Sequence, residues 1–243
     1  MKKFVFVVPA LDSPRAIKRI EEFISEGYSI KVYAINRGND LCNSNLSFEY
    51  EEIESFPNST PYLKRIPILR KAIGAVVEKE GKDSIYYVFG SYLGILFSIC
   101  WPRHNYIYEE GDLAHTYISN RFLRLLLEKL DLRVIRKSRL TVFTSEGFHR
   151  YHYGKDVPNN TIVVSNRIDS KVLNYERNIR IPTSLEHLSI GFVGKPRFKS
   201  VLYFATVFCK NYPEFQFHFF GGPVLKEFEP LKEYANCFFT DLS

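Results

Sequence analysis

Three basic residues follow a glycine at the end of a short apolar run, and this pattern is typical of phosphate binding. The apolar run from Leu188 ends at Gly194, and an apolar segment with helical spacing begins at Val201. Between them lie the three cations, Lys195, Arg197 and Lys199. A glycine turn lets backbone N–H groups approach an anion, and the start of a helix adds partial positive charge. The segment therefore predicts a phosphate-binding turn, with a solvated helix start as the alternative.

A second group of polar residues lies where a predicted strand, Asn105 to Tyr108, ends. The group consists of Glu109, Glu110, Asp112 and His115. Open α/β sheets bind ligands where the carboxyl ends of their strands meet a crevice, and a carboxylate there can position or deprotonate a hydroxyl group. We therefore predict Glu110, Asp112 and His115 as catalytic residues. A hydrated acidic loop and a surface histidine are the alternatives.

The sequence lacks the signals of several other site chemistries. It contains no G-x-G-x-x-G segment that would indicate a nicotinamide or flavin cofactor, and no G-x-S-x-G segment that would indicate a serine hydrolase. Its 6 histidines show no H-E-x-x-H spacing, and its 4 cysteines are scattered without a C-x-x-C pair. We therefore expect no cofactor, no metal site and no disulfide framework.

The composition is that of an ordinary globular protein with a basic surface. Hydrophobic residues make up 45% of the chain, charged residues make up 25%, and the formal net charge is +6. This charge favours anionic partners such as nucleotides, sugar phosphates, lipid headgroups or nucleic acid, with a merely basic surface as the alternative. No recognised nucleic-acid-binding module is present, and the aromatic residues fall mainly in predicted buried strands. We therefore expect no nucleic-acid partner.

Alternating strands and helices must position these residues. Lys3 to Val8 is predicted as a buried strand, and Ser29 to Ile35 as the next one. Between them, Ser13 and Pro14 have the residue types that begin a helix. A strand, a helix and a strand in this order predict a right-handed parallel unit. Further units continue to Val164, and they include a weak strand at 46–50 and the longest helix at 119–136.

A polar and charged stretch divides the chain into two predicted lobes. We predict a doubly wound parallel N-terminal domain at 1–168, a linker at 169–187 and the beginning of a second Rossmann-like domain at 188–243. The second segment contains three predicted strands and two predicted helices, one of them at 224–234, which is half of a doubly wound sheet. We therefore expect the chain to end inside this lobe and its uncovered apolar faces to favour self-association.

Four segments at predicted strand ends occur in an order that resembles the GT-B glycosyltransferases, and within that fold the large retaining family four. The segments are Tyr108–Asp112, Val142–Phe148, Val164–Asp169 and Gly191–Lys199. The resemblance spans most of the chain. It implies two Rossmann-like lobes, of which the second binds a nucleoside diphosphate sugar and the first binds the acceptor.

The resemblance also implies roles for individual residues. The donor diphosphate would be bound by the glycine turn and the cations after it, Gly194, Lys195, Arg197 and Lys199. Fixed cations stabilise the charge that develops on the leaving diphosphate, so this step requires no metal. The acceptor cleft would be lined by residues near the strand ends of the first lobe, Asp12, Gly90, Ser145, Glu146 and Asn166.

We therefore expect a glycosyltransferase that transfers a sugar from a nucleoside diphosphate sugar to a glycan or lipid-linked acceptor, in surface polysaccharide synthesis. The alternative is a non-catalytic fragment that binds the acceptor or serves as a scaffold. No apolar run reaches the roughly 20 residues that span a bilayer, so we predict no transmembrane segment. The scattered cysteines indicate a reducing compartment, so we expect a cytoplasmic protein. Basic residues interleaved with apolar ones at 64–71 and 121–139 predict peripheral binding to an anionic inner membrane surface, with solvated helix faces as the alternative.

Overall fold

The chain divides into two compact units, Met1–Asp169 and Ser170–Ser243. The structure is a computed structural model that describes residues 3–10, 13–37, 46–57, 60–156, 158–165, 189–194, 199–222 and 224–240. Among these residues, no helix combines the length and the hydropathy that crossing a bilayer requires.

The first unit is built on a 7-stranded sheet in which every pairing is parallel. Its strands are β1 (Phe4–Val8), β2 (Ile30–Asn36), β3 (Glu51–Ser55), β4 (Ile85–Phe89), β5 (Asn105–Glu110), β6 (Leu140–Phe143) and β7 (Thr161–Val163). The order across the sheet is β3-β2-β1-β4-β5-β6-β7. The strand order reverses between β1 and β4, which is the arrangement of a doubly wound fold.

Helices connect these strands. They are α1 (Pro14–Ser25), α2 (Tyr62–Glu80), α3 (Ser91–Cys100), α4 (Arg121–Lys137) and α5 (Glu146–Tyr153), with a short 3-10 helix at Ala114–Tyr117. The prediction that the helix at 119–136 is the longest is wrong, since α4 has 17 residues and α2 has 19. Helix α2 continues through Pro67, which lies in its second turn and cannot donate a backbone hydrogen bond.

Apolar residues cover both faces of the sheet of the first unit. Val5 and Val7 belong to the core on one face, while Phe6 and Val8 belong to the core on the other. Successive residues of a strand point to opposite faces, and here both faces are covered, so the strands have continuous apolar sequences. Trp101, at the end of α3, completes the first of these cores by packing against Phe97, with 5.4 Å between the ring centres.

The second unit has a smaller parallel sheet with the strand order β10-β9-β8. Its elements are β8 (Ser189–Val193), α6 (Lys199–Asn211), β9 (Gln216–Phe220), a 3-10 helix (Lys226–Glu233) and β10 (Cys237–Thr240). The α-helix predicted at 224–234 is wrong in type, because Pro230 inside this segment is compatible with the short-range bonds of a 3-10 helix. The core of this unit is formed by aromatic side chains from the helix, the sheet and the 3-10 helix, including Phe208, Phe217 and Phe228.

Candidate functional site

Two adjacent glutamates end strand β5 and point to opposite faces of the sheet. Glu109 lies on the face of α1, and Glu110 lies on the face of α4 and α5. Both side chains are fully buried, with 0% of their surface exposed. Because a buried carboxylate is costly without a partner, the environment of each glutamate indicates what it does.

Glu109 is surrounded by hydrogen-bond donors and positive charge. The Nε atom of Arg19 donates to its Oε2 at 3.1 Å, and the Nε atom of Arg15 lies 3.3 Å from its Oε1. Tyr87 donates its hydroxyl to Oε2 as well, and burial, followed by the charge of Glu109, raises the pKa of this tyrosine well above its usual value. Glu109 therefore fixes two arginines of α1 at the end of β5.

The position of Arg15 beside Glu109 explains why a glycine, Gly111, follows strand β5. A Cβ atom on Gly111 would lie only 1.8 Å from Nη1 of Arg15. The guanidinium group of Arg15 therefore lies directly over the backbone of Gly111, and a side chain at this position would displace it. Glycine permits this close approach.

Glu110 contacts a histidine and, among the described residues, no lysine or arginine. The Nε2 atom of His152, on α5, lies 3.1 Å and 3.0 Å from its two carboxylate oxygens. A second buried carboxylate, Asp131 on α4, lies nearby and accepts a hydrogen bond at 2.8 Å from the hydroxyl of Tyr108. His115, in the 3-10 helix before α4, places its Nδ1 atom 3.7 Å from Oδ2 of Asp131.

We call these four side chains, Glu110, His115, Asp131 and His152, the β5 cluster. Each is between 0% and 2% exposed, and among the described residues no lysine or arginine forms an ion pair with either carboxylate. Burial raises the pKa of Glu110 to about 7, and burial together with the charge of Glu110 raises the pKa of Asp131 to about 8. Burial also lowers the pKa of both histidines, which favours their neutral form.

The three residues predicted as catalytic lie in two different environments. Glu110 and His115 belong to the β5 cluster and are buried, whereas Asp112 is exposed to solvent two residues beyond the strand. The structure adds Asp131 and His152, which sequence reasoning missed. One signal was available, since Asp131 precedes the buried residues Val134 and Ile135 at helical spacing and so lies on the inward side of α4. The catalytic role of the three predicted residues stays a prediction.

Three residues predicted for the acceptor cleft lie at the ends of the strands that flank β5. Gly90 follows β4 with a φ of 80°, and its N–H donates to the carbonyl oxygen of Glu109 at 2.9 Å. Ser145 follows β6 and caps α5 by accepting from Gly147 N at 3.1 Å. Glu146 is exposed and forms an ion pair with Arg150 at 3.3 Å. Because parallel strands end at the same edge, these positions share an edge with β5. Asp12 and Asn166 lie outside the described residues.

The phosphate-binding turn predicted in the second unit is described in part. Gly194 follows β8 with a φ of 131°, and its N–H donates to the carbonyl oxygen of Phe220 at 2.8 Å. Lys199 is exposed and is the first residue of α6, whose first turn contains no acidic residue. The neighbouring strand β9 also ends in glycine, at Gly221. Lys195 and Arg197 lie outside the described residues.

No model of a known protein family matches the chain, and no curated protein matches it either. Solved structures do. The lipopolysaccharide outer core galactosyltransferase WaaB matches 99% of this chain with 68% of its own, at 15% identity and a TM-score of 0.63. HepE from Anabaena, solved in complex with UDP and glucose, matches 100% of this chain with 70% of its own, at 13% identity and a TM-score of 0.63. The chain has the GT-B fold.

A third GT-B match is the sucrose-phosphate synthase of Thermosynechococcus elongatus. It matches 99% of this chain with 70% of its own, at 10% identity and a TM-score of 0.62. The GT-B fold confirms the predicted fold class, an α/β chain with a doubly wound first unit and a second Rossmann-like sheet. Identities this low show the fold alone, so membership of the retaining family four stays a prediction.

Proposed function

We propose that the protein is a glycosyltransferase that transfers a sugar from a nucleoside diphosphate sugar to a glycan or lipid-linked acceptor, in surface polysaccharide synthesis. The observation that carries this proposal is the GT-B match over 99% to 100% of the chain, which includes a galactosyltransferase and a protein solved with UDP and glucose. A fold supports a function only through its site, so the residues of the two units must supply the chemistry.

The second unit supplies the features that a donor diphosphate requires. The positive φ of Gly194 is one that side chains rarely adopt, so this turn keeps a bare backbone where a phosphate would approach. Lys199 at the start of α6, together with Lys195 and Arg197, would stabilise the charge that grows on the leaving diphosphate as the glycosidic bond breaks. This assignment requires neither a cofactor nor a metal for the transfer step.

The first unit supplies an edge of polar residues for the acceptor. Arg15 lies over Gly111, and Asp112 follows as the exposed member of the three predicted catalytic residues. A carboxylate in this position can accept a proton from an acceptor hydroxyl, while the arginine can bind a hydroxyl or phosphate group of the acceptor. Glu109 would then act as a positioning residue, since it holds Arg15 without touching the acceptor.

The donor assignment is tested by comparing two lysines of one helix. Lys199→Ala should lower the release of nucleoside diphosphate from nucleotide sugars by about 10²–10³-fold, because it removes a cation from the developing charge. Lys210→Ala, near the other end of α6, should leave the rate unchanged. UDP or GDP should also raise the melting temperature of the wild-type chain and of Lys210→Ala, but raise it less for Lys199→Ala.

Two outcomes would contradict this assignment. The first is equal loss of activity in both variants, and the second is a wild-type chain that neither releases nor binds any nucleoside diphosphate. Binding of a glycan or lipid-linked acceptor without any nucleotide binding would instead favour the alternative, a non-catalytic acceptor-binding or scaffold protein.

The start of α4 supports peripheral binding to an anionic membrane. Four large apolar side chains there are exposed, Phe122, Leu123, Leu125 and Leu126, with exposed fractions of 84%, 45%, 42% and 54%. The exposed cations Arg121 and Arg124 lie among them. Apolar side chains that insert between lipids, flanked by cations that bind anionic headgroups, are typical of interfacial helices. Such a surface would bring the enzyme to a lipid-linked acceptor.

The basic residues at 64–71 contribute less to such a surface than their sequence suggests. Arg65 is only 5% exposed. Its Nε atom donates to the carbonyl oxygen of Thr60 at 2.6 Å, and its guanidinium lies 5.4 Å from the ring centre of Phe56. The cations of this set that remain exposed are Lys64, Arg70 and Lys71.

Vesicle sedimentation tests the membrane proposal. The wild-type chain should sediment with vesicles that contain anionic lipid and much less with purely zwitterionic vesicles. The double variant Phe122→Ser, Leu126→Ser should lose this binding, whereas Tyr203→Ser, which replaces an exposed aromatic residue of the second unit, should keep it. Equal binding of the double variant and the wild type would refute the proposal.

A further inference from the structure

We propose that the β5 cluster binds one divalent transition-metal ion, with Glu110, Asp131 and His152 as ligands and His115 beside them. One ligand atom from each of Glu110, Asp131 and His152 lies within 4.8 Å of the others. Ligands that surround a tetrahedral zinc ion at about 2.0–2.2 Å are separated by about 3.3–3.6 Å. The separation between Glu110 and His152 is 3.0 Å, so on binding an ion these two would move apart by a few tenths of an ångström, and Asp131 would approach.

An unpaired buried oxygen points to the missing cation. Oδ2 of Asp131 is fully buried and has no hydrogen-bond donor among the described residues. Its other oxygen, Oδ1, is held by the hydroxyl of Tyr108, so the carboxylate cannot turn away without losing that bond. A buried carboxylate oxygen without a partner is strongly destabilising, and a cation bound in the cluster would remove this cost.

The hydrogen bonds of His115 orient the lone pair of its Nδ1 atom toward Oδ2 of Asp131. Tyr151 lies 3.4 Å from Glu128 and can donate to it, so the hydroxyl oxygen of Tyr151 is free to accept from Nε2 of His115 at 3.3 Å. In that tautomer the Nδ1 atom of His115 carries a lone pair, and it faces Oδ2 of Asp131 across 3.7 Å. Two electron-rich atoms at this distance repel one another unless a proton or a metal cation lies between or beside them. Metal-binding histidines are commonly fixed through their second nitrogen in this way.

The donor set indicates the kind of metal. Two carboxylates and one or two imidazoles form a mixed set of oxygen and nitrogen ligands. Such a set suits Zn²⁺, Mn²⁺ or Fe²⁺ better than Mg²⁺ or Ca²⁺, because Mg²⁺ and Ca²⁺ prefer oxygen ligands alone. All four side chains are at most 2% exposed, so little room remains for a substrate at the metal. The ion would therefore serve a structural purpose and link β5, the 3-10 helix, α4 and α5.

A shared proton is the rival occupant of the cluster. One proton held between Glu110 and Asp131 would also reduce the negative charge, but it would leave the lone pair of His115 without a partner. A metal ion would satisfy the two carboxylates together with the facing nitrogen atoms of His115 and His152. The site lies within the first unit and is independent of the donor turn in the second, so its test does not depend on glycosyltransferase activity.

Metal content and thermal stability provide the test. The whole chain would be stripped with a strong chelator, titrated with Zn²⁺, Mn²⁺ or Mg²⁺, and analysed for bound metal by mass spectrometry. We expect Zn²⁺ or Mn²⁺ to bind at one equivalent and, at about 100 times its Kd, to raise the melting temperature by about 5 °C or more. Mg²⁺ should have little effect.

Variants locate the bound metal. Asp131→Asn and His152→Gln should each weaken metal binding by more than about 100-fold, and His115→Gln by about 10–100-fold. His149→Gln is the matched control, because His149 lies on the same helix as His152 but outside the cluster, and it should bind metal like the wild type.

Specific outcomes would overturn the proposal. Absence of metal binding by the wild-type chain would refute it. If, in addition, the metal-free wild type is at least as stable as Asp131→Asn, the shared proton is favoured. Metal binding that survives in both Asp131→Asn and His152→Gln would place the metal elsewhere on the surface. If either variant fails to fold, Co²⁺ in the wild type decides the matter, because visible absorption bands must indicate nitrogen and oxygen ligands in a low-symmetry buried site.

Discussion

The two glutamates at the end of β5 have the same side chain, are adjacent in sequence and are equally buried, yet their surroundings differ. Glu109 accepts from Arg19 and Tyr87 and lies beside Arg15, so two arginines oppose its negative charge. Glu110 faces histidines and a second carboxylate. Burial alone therefore does not assign a role to a carboxylate. The charges that each face of the sheet provides decide whether a carboxylate anchors its neighbours or requires an additional cation.

The largest expected effect comes from removing the charge of Glu109. Glu109→Gln should lower the free energy of unfolding by about 3–5 kcal/mol, because it leaves Arg15 and Arg19 beside a neutral amide in a largely buried site. Urea denaturation at neutral pH would measure this change. A loss below about 1 kcal/mol, the range of exposed ion pairs, would show that the two arginines are solvated and that the comparison fails on this side of the sheet.

A matched pair of tyrosines gives the next effect. Tyr87→Phe removes a hydrogen bond to Glu109 and should cost about 1.5–3 kcal/mol in unfolding free energy, the range for bonds to charged groups. Tyr108→Phe removes the bond to Asp131 on the opposite face, and it should in addition weaken Zn²⁺ binding by about 10–100-fold. Calorimetric titration would distinguish the two variants. If Tyr87→Phe loses as much metal affinity as Tyr108→Phe, the predicted difference between the two faces of the sheet is wrong.

The smallest effect is expected for Glu110→Gln in chelator-treated protein. The amide can keep a hydrogen bond to His152, and no lysine or arginine of the described residues loses an ion pair, so the unfolding free energy should change by less than about 1 kcal/mol. Urea denaturation of Glu110→Gln beside Glu109→Gln makes the comparison direct. A loss as large as that of Glu109→Gln would indicate that Glu110 has a charge partner of its own.

Hydrophobic pattern predicted most of the first unit because five of the seven strands in its sheet are buried on both faces. Strands β1, β2, β4, β5 and β6 are rich in apolar and aromatic residues and lie close to their predicted positions. Strand β3 was predicted at 46–50 and lies at Glu51–Ser55. It is an edge strand with mostly polar residues, so its pairing with β2 depends on the tertiary fold and leaves little apolar signal.

The candidate site was predictable where it depends on strand ends and not where it depends on helices. Glu110 and His115 follow directly from the position of β5 in the sequence. Asp131 and His152 come from α4 and α5, and only the packing of these helices against the sheet brings them to β5. Contacts between residues 42 positions apart, as for Glu110 and His152, have no local signature. The cations of the donor turn stay predictions, although Lys199 lies at the start of α6 as expected.

The packing of Trp101 has a practical consequence for the two units. The chain contains a single tryptophan, and this residue lies at the end of α3 within a core of the first unit. Intrinsic tryptophan emission will therefore follow the loss of structure in the first unit alone, while circular dichroism in the far ultraviolet follows both units. Superimposable transitions by the two probes would mean that the units unfold together, and separate transitions would reveal how much stability each one has by itself.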